Sequence, residues 1–78
     1  MINETKAERF DQILNILKRA REPLAPYQIA RKLTLSEGYV FKLLKELEQQ
    51  GKVVRSYRRD PRTFAVNTVF AVEADVYA

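Results

Sequence analysis

The sequence predicts an α+β fold in which three helices precede a two-stranded β-hairpin. Three observations lead there. Apolar residues recur at helical spacing as far as Leu47, and Gly51 then offers a stop. Beyond Gly51 the chain turns to β-branched and aromatic residues, in the runs 53–57 and 64–72. The polar stretch between them, 58–63, holds Asp60 and Pro61 at its centre, which is turn chemistry. A length of 78 residues suits one small domain, expected to occupy 1–78.

Each element has its own start and stop signals. Thr5 and Glu8 form a Thr-x-x-Glu capping box, and Phe10, Ile13, Leu14 and Leu17 follow as an apolar stripe. Lys18, Arg19 and Arg21 complement the dipole of the last turn, and Pro23 ends the pattern. The first helix is therefore expected at about 5–21. A connector follows, in which Leu24 is the one large apolar residue. Pro26 suits the first turn of a second helix at about 26–33, with Ile29, Ala30 and Leu33 facing inward. Ala25 takes its cap position, where alanine costs about 1 kcal/mol and Pro26 offsets part of it. Thr34 and Leu35 make a tight connection to Ser36, the N-cap of a third helix at about 36–50. Its inner stripe is Val40, Leu43, Leu44 and Leu47, with Lys42, Lys45, Glu46 and Gln49 opposite. The hairpin should occupy about 52–72, with a tail at 73–78 that extends the second strand or docks on a partner. Proline belongs in the loop between the strands, since it would break a paired strand.

Composition excludes much. With no cysteine, disulfides and thiolate metal sites are ruled out. The lack of histidine removes the commonest general base and metal ligand. Two glycines cannot build a phosphate-binding loop, and no acidic cluster has metal-ligand spacing. No enzyme, cofactor, metal or small-molecule substrate is expected, and ligand sensing is not expected either. The apolar runs are shorter than a membrane span, and the polar N-terminus has no signal-peptide core, so a soluble cytoplasmic protein is expected. The net charge is +4, and residues 52–62 alone carry that much, with Lys52, Arg55, Arg58, Arg59 and Arg62 against Asp60. Such a cluster is either a footprint for a polyanion or a solvated loop.

The order of elements, three helices and then a basic hairpin, resembles the winged helix-turn-helix family. Residues 26–47 carry the likeness most fully: P-Y-Q-I-A-R-K-L-T-L-S-E-G-Y-V-F-K-L-L-K-E-L. Ala30 stands where two helices cross and only a small side chain fits. Ile29 and Leu33 face the core, Leu35 plugs the turn, and Val40 and Leu43 return the third helix to the core. The run E-Q-Q-G-K-V-V-R at 48–55 is similar to the family's passage from recognition helix to first wing strand. The likeness covers about 5–72, and the size and pattern also look like the compact regulators of archaeal viruses and plasmids. There are two departures. Thr34 stands where the family often has glycine, and Ala25 where it often has a Ser or Thr cap.

The resemblance implies a sequence-specific double-stranded DNA-binding protein, a transcription regulator with its third helix in the major groove and its wing on phosphate or the minor groove. The implied contacts on the third helix are Ser36, Glu37, Gly38, Tyr39, Lys42 and Lys45. Ser36 also reads as a cap, and Glu37 as a dipole partner. Gly38 answers either to close approach of DNA or to tight helix packing. Tyr39 either meets a phosphate or sugar or covers the second helix. The wing candidates are Arg55, Arg58, Arg59 and Arg62, the last three expected around the tip; Arg55 faces phosphate or pairs with an acid. Arg31 and Lys32 are lesser phosphate candidates. Phe41 contacts a thymine methyl, packs under the wing or joins a dimer. A homodimer is expected, with Ile16, Val69, Phe70, Val72, Val76 and Tyr77 offering apolar surface. The alternative is a winged-helix interaction module of the transcription or replication machinery, and a third reading is binding of structured RNA.

Overall fold

A computed structural model describes residues 5–72. Helices α1 (Lys6–Arg19), α2 (Pro26–Leu33) and α3 (Glu37–Gln49) precede strands β1 (Val53–Arg59) and β2 (Val66–Val72). The strands pair antiparallel, from Val53 opposite Val72 to Arg59 opposite Val66. This is the winged helix-turn-helix arrangement.

The helix starts follow the local chemistry. The Thr5 N–H donates to Glu8 Oε1 at 2.9 Å, and the Glu8 N–H donates to Thr5 Oγ1 at 3.2 Å. The backbone bond from Thr5 holds the Glu8 carboxyl below the ordinary glutamate range. Ser36 caps α3 by accepting from the Tyr39 N–H at 3.2 Å. At α2 the alanine cap is compensated from within the helix: Gln28 Oε1 accepts from the Ala25 N–H at 2.8 Å. A buried Ala25 leaves the cap position apolar while that donor is still satisfied.

One core joins all the elements. Ile13 and Leu17 of α1, Ile29 and Ala30 of α2, and Val40, Leu43, Leu44 and Leu47 of α3 meet Leu24, Val53, Phe70 and Val72. The inner face of the hairpin near its base therefore closes the helical layer. β1 lies along α3, while β2 packs on α1 and α2.

Three boundaries differ from the sequence reading. α1 stops at Arg19, because Ala20 turns to extended geometry (φ −72, ψ 141). The connector then runs extended to bring Leu24 beside β2. The Leu24 N–H donates to Phe70 O at 2.9 Å, and the Phe70 N–H donates back at 2.8 Å, so a single residue acts as a third strand. β1 continues to Arg59, which puts Arg58 and Arg59 on the strand and not in the loop; ladder pairing with Asn67 and Val66 holds them there. β2 begins at Val66, leaving Phe64 in the loop.

The apolar surface assigned to a dimer is mostly consumed inside the chain. Val69, Phe70 and Val72 are buried, and Ile16 is half-buried against the core. Val76 and Tyr77 lie outside the described residues.

The turn between α2 and α3 does require a left-handed residue. Thr34 sits at φ 57, ψ 48, where a β-branched side chain costs about 1–2 kcal/mol. Replacing Thr34 by glycine should therefore stabilise the domain by about 1 kcal/mol, net of glycine's greater unfolded-state entropy. Differential scanning calorimetry should show a rise in Tm of about 4–8 °C. An unchanged or lower Tm would mean that the threonine is relieved by contacts that offset its backbone.

Candidate nucleic-acid interface

The exposed surface of α3 gathers most of the helix residues singled out above. Glu37, Gly38, Tyr39, Lys42 and Lys45 are all exposed, as is the capping Ser36. Two shallow depressions flank the helix. One is bordered by Gly38, Phe41, Lys42, Lys45, Gln49 and Lys6, where Lys6 pairs with Glu46 at 2.6 Å. The other, at the start of α3, is bordered by Tyr27, Arg31, Leu35 and Glu37. Arg31 thus joins the α3 surface. Lys32 instead borders a separate depression together with Ile16 and Arg19 of α1. Tyr27, absent from the sequence candidates, stands nearly half exposed at this junction.

Gly38 can be assigned on geometry. A Cβ built there would meet nothing within 4 Å, so tight packing inside the chain is not its reason. The backbone is open toward solvent on the face that carries Lys42 and Lys45. Gly38→Ala should raise helix stability by up to about 1 kcal/mol, since alanine is the better helix former. The same methyl should weaken duplex binding if DNA approaches this backbone closely. Urea denaturation and titration of labelled duplex should move in opposite directions; equal binding by both proteins would reduce Gly38 to a neutral position.

Phe41 packs under the hairpin. Its ring meets Phe70 edge-on, centroids 6.2 Å apart at 68°. The Arg55 guanidinium lies over both rings, 5.6 Å from Phe41 and 5.3 Å from Phe70, and Nη2 donates to Glu48 Oε1 at 2.9 Å. That bond to Glu48 raises the Arg55 pKa above the ordinary arginine value. Arg55 therefore pairs with an acid and ties α3 to β1. The Lys45 ammonium stands 5.8 Å from the Phe41 centroid on an exposed side chain.

The hairpin cations separate into two groups. Arg58 reaches back to the connector, where it pairs with Glu22 and donates to Pro23 O at 2.8 Å. It braces the wing against the α1–α2 junction. Arg59 and Arg62, by contrast, are exposed and have no ion-pair partner among the described residues, and the same holds for Lys42 and Lys52. Asp60, the one acid within residues 53–72, is committed to the loop: its Oδ1 accepts from the Arg62 N–H at 2.7 Å and the Thr63 N–H at 3.3 Å. The outer hairpin also exposes apolar side chains. Tyr57 is 65% exposed, Phe64 69% and Val66 58%. Sequence reasoning placed Phe64 in a strand and gave it no role; its conformation was the missing signal.

Three helices, a left-handed turn at Thr34 and an exposed basic α3 form a helix-turn-helix with a wing. The family model of the IclR helix-turn-helix domain matches residues 7–56, from α1 through α3 into β1. The chain belongs to the IclR helix-turn-helix domain family. Its function class is therefore that of a DNA-binding transcription regulator. The IclR match ends before Arg58, Arg59 and Arg62, so the outer wing lies beyond it. No curated protein matches the chain at the significance required. Among the described residues no helix of this IclR-type domain is long and apolar enough to cross a membrane. None of their His, Cys, Asp or Glu side chains form a group of three able to hold a metal ion.

Proposed function

We propose that the domain binds double-stranded DNA sequence-specifically, with α3 in the major groove and the wing on phosphate or the minor groove. One observation carries this reading: the exposed half of α3, from its cap Ser36 to Lys45, has cations without ion-pair partners among the described residues and an open glycine backbone on the same face. Lys42 is the base-edge candidate. Arg59, Arg62 and Arg31 serve phosphate, while Ser36 and Glu37 chiefly hold the N-terminus of α3 in place. Arg55 and Arg58 contribute mainly by fixing the wing. The protein acts in the cytoplasm, as two copies on a palindromic site.

Selection from a library of genomic duplex fragments tests the reading. A specific site should emerge and bind about 10³-fold or more tighter than random duplex at equal salt. Absence of any enriched fragment would remove sequence specificity. The protein-docking alternative finds some support in the exposed Tyr57, Phe64 and Val66. It requires a partner that binds the outer hairpin in the absence of DNA.

A further inference from the structure

Phe64 is the residue that the fold itself does not explain. It sits at φ 62, in the left-handed region that bulky side chains avoid. The residue is 69% exposed. The loop holds it there by several bonds. The Phe64 N–H donates to Asp60 O at 2.8 Å, and the Asp60 N–H donates to Ala65 O at 2.8 Å. Thr63 Oγ1 accepts from the Ala65 N–H at 3.2 Å, and Asp60 Oδ1 braces the intervening backbone. A glycine or asparagine would take this conformation with less strain, so phenylalanine here comes at a cost to the free domain.

The surroundings point to the ring's partner. Arg59 opens onto the loop and Arg62 lies within it, both exposed and without an ion-pair partner among the described residues. Val66 and Tyr57 extend the apolar character down the outer hairpin. An exposed apolar residue on a braced loop that also carries Arg62 and adjoins Arg59 suits a duplex minor groove. The cations take the phosphates, and the ring enters between base pairs and partly unstacks them. Resting on the DNA-binding reading above, we propose that Phe64 is a wedge that the wing inserts at a flexible base step, bending the bound DNA.

The experiment uses the full chain and a duplex of about 20–30 base pairs with TA steps, dye-labelled at both ends. The adenines of those steps are replaced by 2-aminopurine, whose fluorescence rises on unstacking. Binding of the parent protein should bring the dyes closer and brighten the 2-aminopurine. Phe64→Asn tolerates the left-handed backbone and should fold with an equal or higher Tm. It should bind with the parent's salt dependence, lose the brightening and most of the dye approach, and bind about tenfold more weakly. Phe64→Leu keeps an apolar wedge and should retain both signals. Parent-like brightening and bending by Phe64→Asn would overturn the proposal, and so would a parent that binds duplex without either signal. Conversion of a self-associating parent to a monomer by Phe64→Asn would also overturn it, assigning the ring to a contact between copies. Failure of the parent to bind any duplex at low salt would instead remove the DNA reading itself.

Discussion

Raising salt from 50 to 200 mM should weaken duplex binding by about 10³–10⁵-fold, if the assembled protein neutralises roughly 6–10 phosphates. The argument rests on which cations the fold leaves available. Of the five in residues 52–62, Arg55 is held by Glu48 and two aromatic rings, and Arg58 by Glu22 and Pro23. Lys52, Arg59 and Arg62 are exposed without ion-pair partners among the described residues, and α3 adds Lys42 and Lys45. Two copies of such a set reach the required number of phosphates. Single substitutions then sort the wing. Arg59→Ala or Arg62→Ala should lower the slope of log K against log salt by about one. Arg55→Ala should leave the slope alone and lower stability, because it removes the tie between α3 and β1. Fluorescence anisotropy at several salt concentrations measures all of these. Affinity independent of salt would refute a phosphate-driven interface, and a full unit of slope lost with Arg55→Ala would place that guanidinium on DNA after all.

Phe70→Ala should destabilise the domain by about 3–5 kcal/mol, the range for deleting a buried aromatic ring. Phe70 is fully buried, stacks edge-on with Phe41, underlies Arg55 and exchanges both backbone hydrogen bonds with Leu24. Its ring is the piece shared by the helical core, the wing and the α1–α2 connector. At about 0.05–0.15 kcal/mol per residue, a domain this small has total stability of similar size to the loss. The variant should be largely unfolded or shifted to a much lower urea midpoint. Tyr57→Ala, on the exposed outer hairpin, is the control and should change stability by less than about 0.5 kcal/mol. A Phe70→Ala protein within 1 kcal/mol of the parent would contradict the central place given to this ring.

Much of this was legible because it depends on neighbours in sequence. Thr5 with Glu8, and Ser36 with Tyr39, are cap contacts three residues apart, and the stripes of α1 and α3 follow from helical period. The residue types at 26–47 were enough to place the helix-turn-helix. Gly38 and Thr34 stood out as residues in the wrong place for their propensity, and both proved informative: one leaves open space, the other takes a left-handed backbone.

Local chemistry alone determined the element types, the caps, the position of the turn and the basic character of the hairpin. Tertiary structure decided which cations remain free. A charge in a sequence carries no mark of its partner, and Glu22 lies thirty-six residues from the Arg58 it holds. The same applies to the end of α1. Helical propensity continues past Arg19, yet the chain leaves the helix so that Leu24 can satisfy the open edge of β2 at Phe70. Phe64 belongs to this second group as well. Its composition suits a strand, but the hydrogen bonds that close the hairpin loop from Asp60 to Ala65 fix its backbone in a region that no local preference of phenylalanine would select.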